Sequence, residues 1–145
     1  MRQRISDALR QTVILQAKFL CEYCLVHEDD FYLSGEVDHI SAIKHGGINE
    51  LSNLAYSCIH CNRNKGTDEA IVVNGQAVRF FNPRVDRWSD HFELSGAIIL
   101  PKTDIGTVTL NVLKINHEYR VQERLAYMAK GTYPHPNALG LLMPT

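Results

Sequence analysis

The four cysteines of the chain form two pairs with the same spacing, Cys21/Cys24 and Cys58/Cys61. Two residues between paired cysteines let both sulfurs face one point at about 2.3 Å, the Zn–S distance of structural zinc sites. Buried free cysteines would not produce two matched pairs, so the spacing predicts a zinc site with four thiolates. The insert between the pairs is longer than in a zinc ribbon. It must therefore be a folded unit whose ends return to the same place, as the ends of a β-hairpin do.

Polar residues that could do chemistry lie between the cysteine pairs and directly after the second pair. Asp38 and His39 are adjacent, and Asn53 follows later in the insert. A histidine whose pKa is near neutrality can act as a general base on water. A single histidine is more often an ordinary surface or core residue. Among the seven histidines, we predict a catalytic role for His39, because it follows an acidic residue inside the cysteine frame.

Three basic side chains near this stretch could contact a phosphate. Arg63 and Lys65 lie near the start of a predicted helix, where the helix N-terminus also favours anions. The alternative for both is an ordinary solvated helix face. His45 precedes Gly46-Gly47, where it could contact a phosphate or metal, or only shape the loop.

Four short motifs follow one another in this part of the chain: Asp38-His39-Ile40, His45-Gly46-Gly47, Asn53-Leu54 and Cys58–Gly66. In this order, and framed by the cysteine pairs, they resemble the HNH endonuclease family, in particular its members with two Cys-x-x-Cys pairs. The resemblance covers roughly residues 21–67. A second similarity, from Phe81-Asn82-Pro83-Arg84 to Trp88–Phe92, is to the C-terminal extension of some small HNH proteins.

The resemblance implies a ββα-metal fold that hydrolyses phosphodiester bonds in nucleic acid, usually DNA. His39 matches the general base that activates the attacking water, and Asp38 matches the neighbouring carboxylate that ligates the catalytic cation. Asn53 matches the middle motif position, which orients the loop and the base. Asn62 matches the third position, a metal ligand that is histidine in many members. The chain is thus an H-N-N variant.

The chemistry of phosphodiester hydrolysis agrees with these roles. The reaction needs an activated water, stabilisation of negative charge and help for the leaving oxygen, and a hard cation can supply the last two. The oxygen ligands Asp38 and Asn62 favour Mg²⁺ or Mn²⁺. We therefore predict structural Zn²⁺ on sulfur and exchangeable Mg²⁺ or Mn²⁺ on oxygen. Because adjacent strand residues point to opposite faces, Asp38 and His39 require a local distortion or the strand end there.

The core elements predicted from hydrophobic periodicity and turn residues lead from one cysteine pair to the other. They are a helix over Ser6–Leu20, antiparallel strands over Glu36–Ile40 and Leu54–Ser57, and a short helix over Cys61–Ala70.

The remainder of the chain is predicted to be richer in strands. Its expected elements are hairpins over Ile71–Phe80 and His91–Leu100, a further strand over Thr107–Leu113, and a helix over His117–Lys130. The helix has Val121, Leu125 and Met128 on one face and Gly131 as its stop. The proline-containing tail after it is expected to be poorly ordered.

Length and composition favour a single α+β domain. The chain has 145 residues, 45% of them hydrophobic and 21% charged, values typical of a soluble globular protein. We expect an N-terminal helix in residues 1–20, a zinc-clipped core in 21–70 and a β-rich extension with a C-terminal helix in 71–145. No apolar run approaches the ~20 residues that span a membrane. A cytoplasmic location is expected, since thiols stay reduced there.

The main hypothesis is a metal-dependent endonuclease acting on DNA. The net charge of −1 means that attraction for a polyanion must be local. It also leaves open a zinc-containing module that binds DNA or protein without cleaving. The set Asp38, His39, Asn53 and Asn62 favours the enzyme, since a binding module has no need of a base beside a cation ligand. A toxin-like nuclease with an immunity partner is a further alternative, but no delivery segment supports it.

Overall fold

The computed structural model describes residues 4–144. The predicted N-terminal segment and the predicted single domain include residues 1–3 and 145. These residues lie outside the described residues. The helices are α1 (Asp7–Gln16), α2 (Ile59–Lys65), α3 (Trp88–His91), α4 (Asp104–Val112), α5 (Glu118–Lys130) and α6 (Leu139–Leu142). The strands are β1 (Glu36–His39), β2 (Leu54–Ser57), β3 (Ala70–Val73), β4 (Gln76–Arg79), β5 (Phe92–Ser95) and β6 (Ile98–Pro101). The α+β class is confirmed, and within residues 4–144 no helix is long and apolar enough to cross a membrane.

The six strands form three antiparallel hairpins, all of which were predicted. In the central hairpin β1 pairs with β2, from Glu36 opposite Ser57 to His39 opposite Leu54. Helix α2 follows directly and completes a ββα unit. It begins at Ile59 because the sulfur of Cys58 accepts a hydrogen bond from the backbone N–H of Cys61. It ends at Lys65, before Gly66 at φ 56°, and so is shorter than the predicted helix to Ala70.

Helix α1 is capped by Ser6, whose hydroxyl accepts a hydrogen bond from the N–H of Leu9. It stops at Gln16 instead of Leu20. The reason is local: Lys18 and Phe19 adopt φ of 55° and 63°, in the left-handed region that ends a helix. Its apolar face joins β1 and β2 in a small core that includes Val13.

The predicted strand over Thr107–Leu113 is wrong, because this segment lies in helix α4. The weak alternation of this segment suggested a strand, but local capping favours a helix. The hydroxyl of Thr103 accepts from the N–H of Gly106 at the start of α4. The hydroxyl of Thr109 donates to the carbonyl of Ile105 and accepts from the N–H of Phe81. The buried side of α4 contacts β4 and β6.

Helix α5 has the predicted length and ends at Gly131, in the left-handed conformation at φ 84°. Its orientation differs from the expectation that an apolar face is buried. Leu125 and Met128 are exposed, whereas Arg120 and Arg124 are the buried residues of α5. Long arginine side chains can be buried when their guanidinium nitrogens find acceptors. Both terminal nitrogens of Arg120 and all three guanidinium nitrogens of Arg124 have such partners.

The tail after α5 is packed, which corrects the expectation of disorder. Tyr133 and Ala138 are buried in the larger hydrophobic core, together with the four cysteines and Trp88. Helix α6 packs against α3. The tail is ordered by contacts with residues more than a hundred positions earlier, such as the hydrogen bond from Tyr133 to the carbonyl of Cys24.

Candidate metal centres and active site

The four cysteine sulfurs lie together in the buried core. All four Sγ atoms are within 4.8 Å of one another, and those of Cys24 and Cys58 are 3.8 Å apart. A tetrahedral zinc ion with Zn–S bonds of about 2.3 Å places its sulfurs about 3.8 Å from each other. A disulfide would need about 2.05 Å. The cluster therefore fits the predicted structural zinc and not a pair of disulfides.

The first cysteine turn is shaped by its own backbone and braced by the extension. The N–H of Cys21 donates to the carbonyl of Val26 at 2.8 Å. The indole N–H of Trp88 donates to the backbone carbonyl of Tyr23 at 3.0 Å. The hydroxyl of Tyr133 donates to the backbone carbonyl of Cys24 at 2.8 Å. Two backbone carbonyls of the first cysteine turn thus have hydrogen-bond partners in the C-terminal half of the chain.

The sulfur cluster is also in contact with a cation. One terminal nitrogen of the Arg120 guanidinium lies 3.1 Å from Sγ of Cys61 and 3.7 Å from Sγ of Cys58. Burial acts to lower the pKa of Arg120, but the neighbouring cysteines outweigh it and raise that pKa overall. Burial raises the pKa of the Cys21 thiol, so a bound metal must favour the thiolate there. Arg120 carried no signal in the sequence, since its partners lie about sixty positions away.

Asp38 and His39 line one cavity of about 410 Å³, although they are neighbours on β1. His39 is the last residue of β1. For both side chains to face one site, we expected either a distortion of the strand or the strand end at this place. The strand ends there. Lys44 and Thr67 also line the cavity.

The ammonium group of the Lys65 side chain contacts both Asp38 and His39. Its side chain is only 3% exposed, and its Nζ is 3.6 Å from Oδ2 of Asp38. The same Nζ donates to the backbone carbonyl of His39 at 3.1 Å. Lys65 is therefore not on a solvated helix face, the alternative considered from the sequence, and its phosphate contact stays a prediction.

Asn53 holds the loop that follows His39. Its Oδ1 accepts from the N–H of Ser41 at 2.8 Å, and its Nδ2 donates to the carbonyls of Ser41 and Ile48, both at 2.9 Å. Gly47 packs so closely that a Cβ there would be 1.7 Å from the carbonyl oxygen of Ser41. The amide of Asn53 and the missing side chain of Gly47 together close the loop.

Asn49 contacts His39 and was missed by the sequence analysis. Its Oδ1 forms a hydrogen bond with Nε2 of His39. Because an amide oxygen only accepts hydrogen bonds, this contact requires the tautomer of the neutral ring that has its proton on Nε2 and its lone pair on Nδ1. Asn49 lies outside the recognisable motifs, and no local pattern marks it as a partner of a residue ten positions earlier.

The remaining predicted site residues occupy α2 and the loop after β1. Asn62 is half-buried and lies one turn before Lys65, so the two side chains share a side of α2. Arg63 is exposed on the same helix. His45 is also exposed and ends a short 3₁₀ turn, but its neighbour Lys44 is the one that lines the cavity.

Comparison with known proteins identifies a family for the central part of the chain. The sequence model of the HNH endonuclease family matches residues 21–68. No curated protein and no solved structure matches the chain. The matched segment starts at Cys21 and ends shortly after Lys65, so it includes both cysteine pairs and the residues around the cavity. The predicted resemblance is confirmed for this segment.

Proposed function

Because residues 21–68 match the sequence model of the HNH endonuclease family, we propose that the protein is a metal-dependent endonuclease that hydrolyses phosphodiester bonds in DNA. The observation that supports the proposal is that an imidazole and a carboxylate, those of His39 and Asp38, line the same cavity. Residues 1–145 act as one domain in this proposal, with the segment as its catalytic core.

His39 is the general base. Nδ1 accepts a proton from water as the water oxygen forms its bond to phosphorus, and the bond from phosphorus to the leaving oxygen breaks. The leaving oxygen takes its proton from solvent. Asn49 keeps the other ring proton on Nε2, so the ring becomes an imidazolium that still has its acceptor.

Asp38 and Asn62 are the proposed ligands of the catalytic cation. A carboxylate and an amide oxygen suit Mg²⁺ or Mn²⁺, which commonly keep water and bind substrate phosphate at their other positions. When bound, the ion supplies Lewis-acid stabilisation of charge on the phosphate and the leaving oxygen. Lys65 holds the Asp38 carboxylate and the His39 carbonyl in place. It thus acts as a positioning residue in the absence of substrate.

DNA phosphates on either side of the cleaved bond are proposed to meet exposed basic side chains. Lys44 lines the cavity. Arg63 and His45 are exposed to solvent and lie close in sequence to residues that line it. Lys65 can contact a phosphate only if its ammonium group gives up its contacts with Asp38 and the carbonyl of His39. Local contacts of this kind suit a chain whose net charge is −1.

The test is nicking of supercoiled plasmid with Mg²⁺ or Mn²⁺. His39→Ala should reduce the rate by at least about 100-fold, the lower range for loss of a general base, while zinc content stays unchanged. His117→Ala, at the N-terminus of α5, is the matched control and should retain activity. Equal rates for wild type and His39→Ala would contradict the assigned base. Tight DNA binding without cleavage under any divalent ion would favour the non-catalytic module.

A further inference from the structure

Helix α5 contributes a buried cation to the zinc-binding cluster. Arg120 is 3% exposed, and one of its terminal nitrogens lies 3.1 Å from Sγ of Cys61 and 3.7 Å from Sγ of Cys58. Its other terminal nitrogen donates to the carbonyl of Leu113 at 2.7 Å. The guanidinium is therefore fixed between the end of α4 and the sulfurs.

A zinc ion with four thiolates has a formal double negative charge. The four cysteines here are at most 5% exposed, and burial of net charge is costly unless a counter-charge and hydrogen bonds compensate. A guanidinium donates N–H groups in fixed directions and stays protonated in proteins. It can thus provide both the positive charge and hydrogen bonds to sulfur.

We infer that Arg120 is the outer-sphere partner of the zinc tetrathiolate, so that the C-terminal extension is part of the metal centre. The role is one of positioning and charge compensation, and it does not depend on nuclease activity. It also extends the metal centre beyond residues 21–68, the segment matched by the family. Partners of this kind commonly change metal affinity by about 10- to 100-fold when they are removed.

Arg124 provides a matched control on the same helix. It is 1% exposed, and its three nitrogens donate to the carbonyls of Ala97 and Ile115 and to Oδ1 of Asn116. These partners are all oxygen atoms. Loss of Arg124 should therefore disturb the fold through unpaired carbonyls, whereas loss of Arg120 should also weaken the metal site.

The first experiment compares full-length Arg120→Met, Arg124→Met and Arg120→Lys. Zinc affinity is measured by competition with a chromophoric chelator, and Co²⁺ titration follows the thiolate-to-metal charge-transfer band. We expect Arg120→Met to bind zinc at least about 10-fold more weakly with a shifted Co²⁺ band. Arg124→Met should weaken zinc binding less than Arg120→Met does and leave the Co²⁺ band unshifted, and Arg120→Lys should be intermediate. Equal zinc affinity in the two methionine variants would overturn the inference.

A second measurement on the unmodified sequence decides the question if Arg120→Met does not fold. The protein is loaded with a magnetically active cadmium isotope, and scalar coupling from cadmium to side-chain N–H protons is recorded by NMR. Coupling through the sulfurs should reach the guanidinium protons of Arg120 and not those of Arg124. Guanidinium protons of Arg120 that are observed without coupling to cadmium would contradict a direct N–H···S contact.

Discussion

At the scale of single residues, the contact between His39 and Asn49 bears on which ring nitrogen would act on water in the proposed reaction. The hydrogen bond engages Nε2 and leaves Nδ1 for the reaction. A catalytic histidine commonly needs such a second partner, because the wrong tautomer presents a proton where a lone pair is required. Asn49 thus belongs to the proposed mechanism, although it lies outside the family motifs.

Substitution of Asn49 should alter the pH dependence of cleavage. In Asn49→Asp a carboxylate faces the ring and favours the imidazolium, so the acidic limb of the pH–rate profile should move to higher pH. Asn49→Ala should lower the rate by about 10-fold or more, because the tautomer is no longer fixed. Single-turnover nicking rates across pH measure both effects. An unchanged acidic limb in Asn49→Asp would contradict contact between the two side chains in the active enzyme.

Asp30 provides a second residue-scale test, in which stability depends on pH. Burial acts to raise the pKa of Asp30, but hydrogen bonds from Lys130 and Thr132 outweigh it and lower the pKa below its ordinary value. A carboxyl with a lowered folded-state pKa stabilises the fold above its unfolded pKa of about 3.9, and loses that contribution as pH falls through the folded value.

Asp30→Asn should therefore lower the denaturation midpoint at neutral pH, and the difference from wild type should shrink as the pH falls below about 4. Asp29→Asn is the control, since the side chain of Asp29 is 87% exposed and should change little. Urea unfolding at a series of pH values makes the comparison. A gap between wild type and Asp30→Asn that stays constant across this pH range would contradict the expectation.

At the scale of elements, α2 connects the cysteine cluster to the proposed catalytic site. Cys58 caps the helix and Cys61 lies in its first turn, and both face the sulfur cluster. Lys65, at the other end, contacts Asp38 and the carbonyl of His39. One short helix thus links the zinc-binding core to the end of β1, where the proposed chemistry occurs.

Lys65→Met tests this connection. The substitution leaves the Asp38 carboxylate and the His39 carbonyl without their partner, so stability should fall by about 1–3 kcal/mol. Cleavage should fall by about 10-fold or more because the end of β1 is no longer held, while zinc content is unchanged. Chemical denaturation, plasmid nicking and metal analysis are the measurements. Full activity in Lys65→Met would show that Lys65 does not position the site.

The elements predicted well are those determined by neighbouring residues. The central hairpin follows from the need of the insert to return its ends to one place, and the hairpin of β3 and β4 follows from its turn residues Asn74-Gly75. Helix α4 was mistaken for a strand because the weak alternation of Thr107–Leu113 was taken as a strand signal and the cap at Thr103 was not recognised. Asp38, His39 and Asn53 were identified through the family resemblance. The contacts of Lys65 with Asp38 and with the carbonyl of His39 were not predicted, since burial is not visible in a motif.

At the scale of the whole molecule, the C-terminal half is bound to the cysteine turns at several points. Trp88, Arg120 and Tyr133 each contact a cysteine or a residue between two cysteines. None of these partners could be predicted from the sequence, because each contact joins positions at least 59 residues apart. Metal binding and folding should therefore be coupled well beyond the segment matched by the family.

Zinc removal should destabilise the extension as well as the core. After chelation, the amides of α5 and of the tail around Tyr133 should lose protection from hydrogen exchange together with those of the Cys21–Cys24 turn. The melting temperature should rise with free zinc concentration, as expected for a ligand that binds the folded state. Hydrogen exchange by mass spectrometry resolves the regions. Retained protection of α5 in the zinc-free protein would show that the two halves fold independently.

The position of Cys61 next to Asn62 has a consequence for the response to oxidants. Thiolates that bind zinc can be oxidised, and oxidation releases the metal. Cys61 lies inside α2, so its oxidation would displace the helix that carries Asn62, a proposed ligand of the catalytic cation. An enzyme whose proposed reaction uses no thiol would then be inactivated by peroxide, and repair would require both a reductant and zinc.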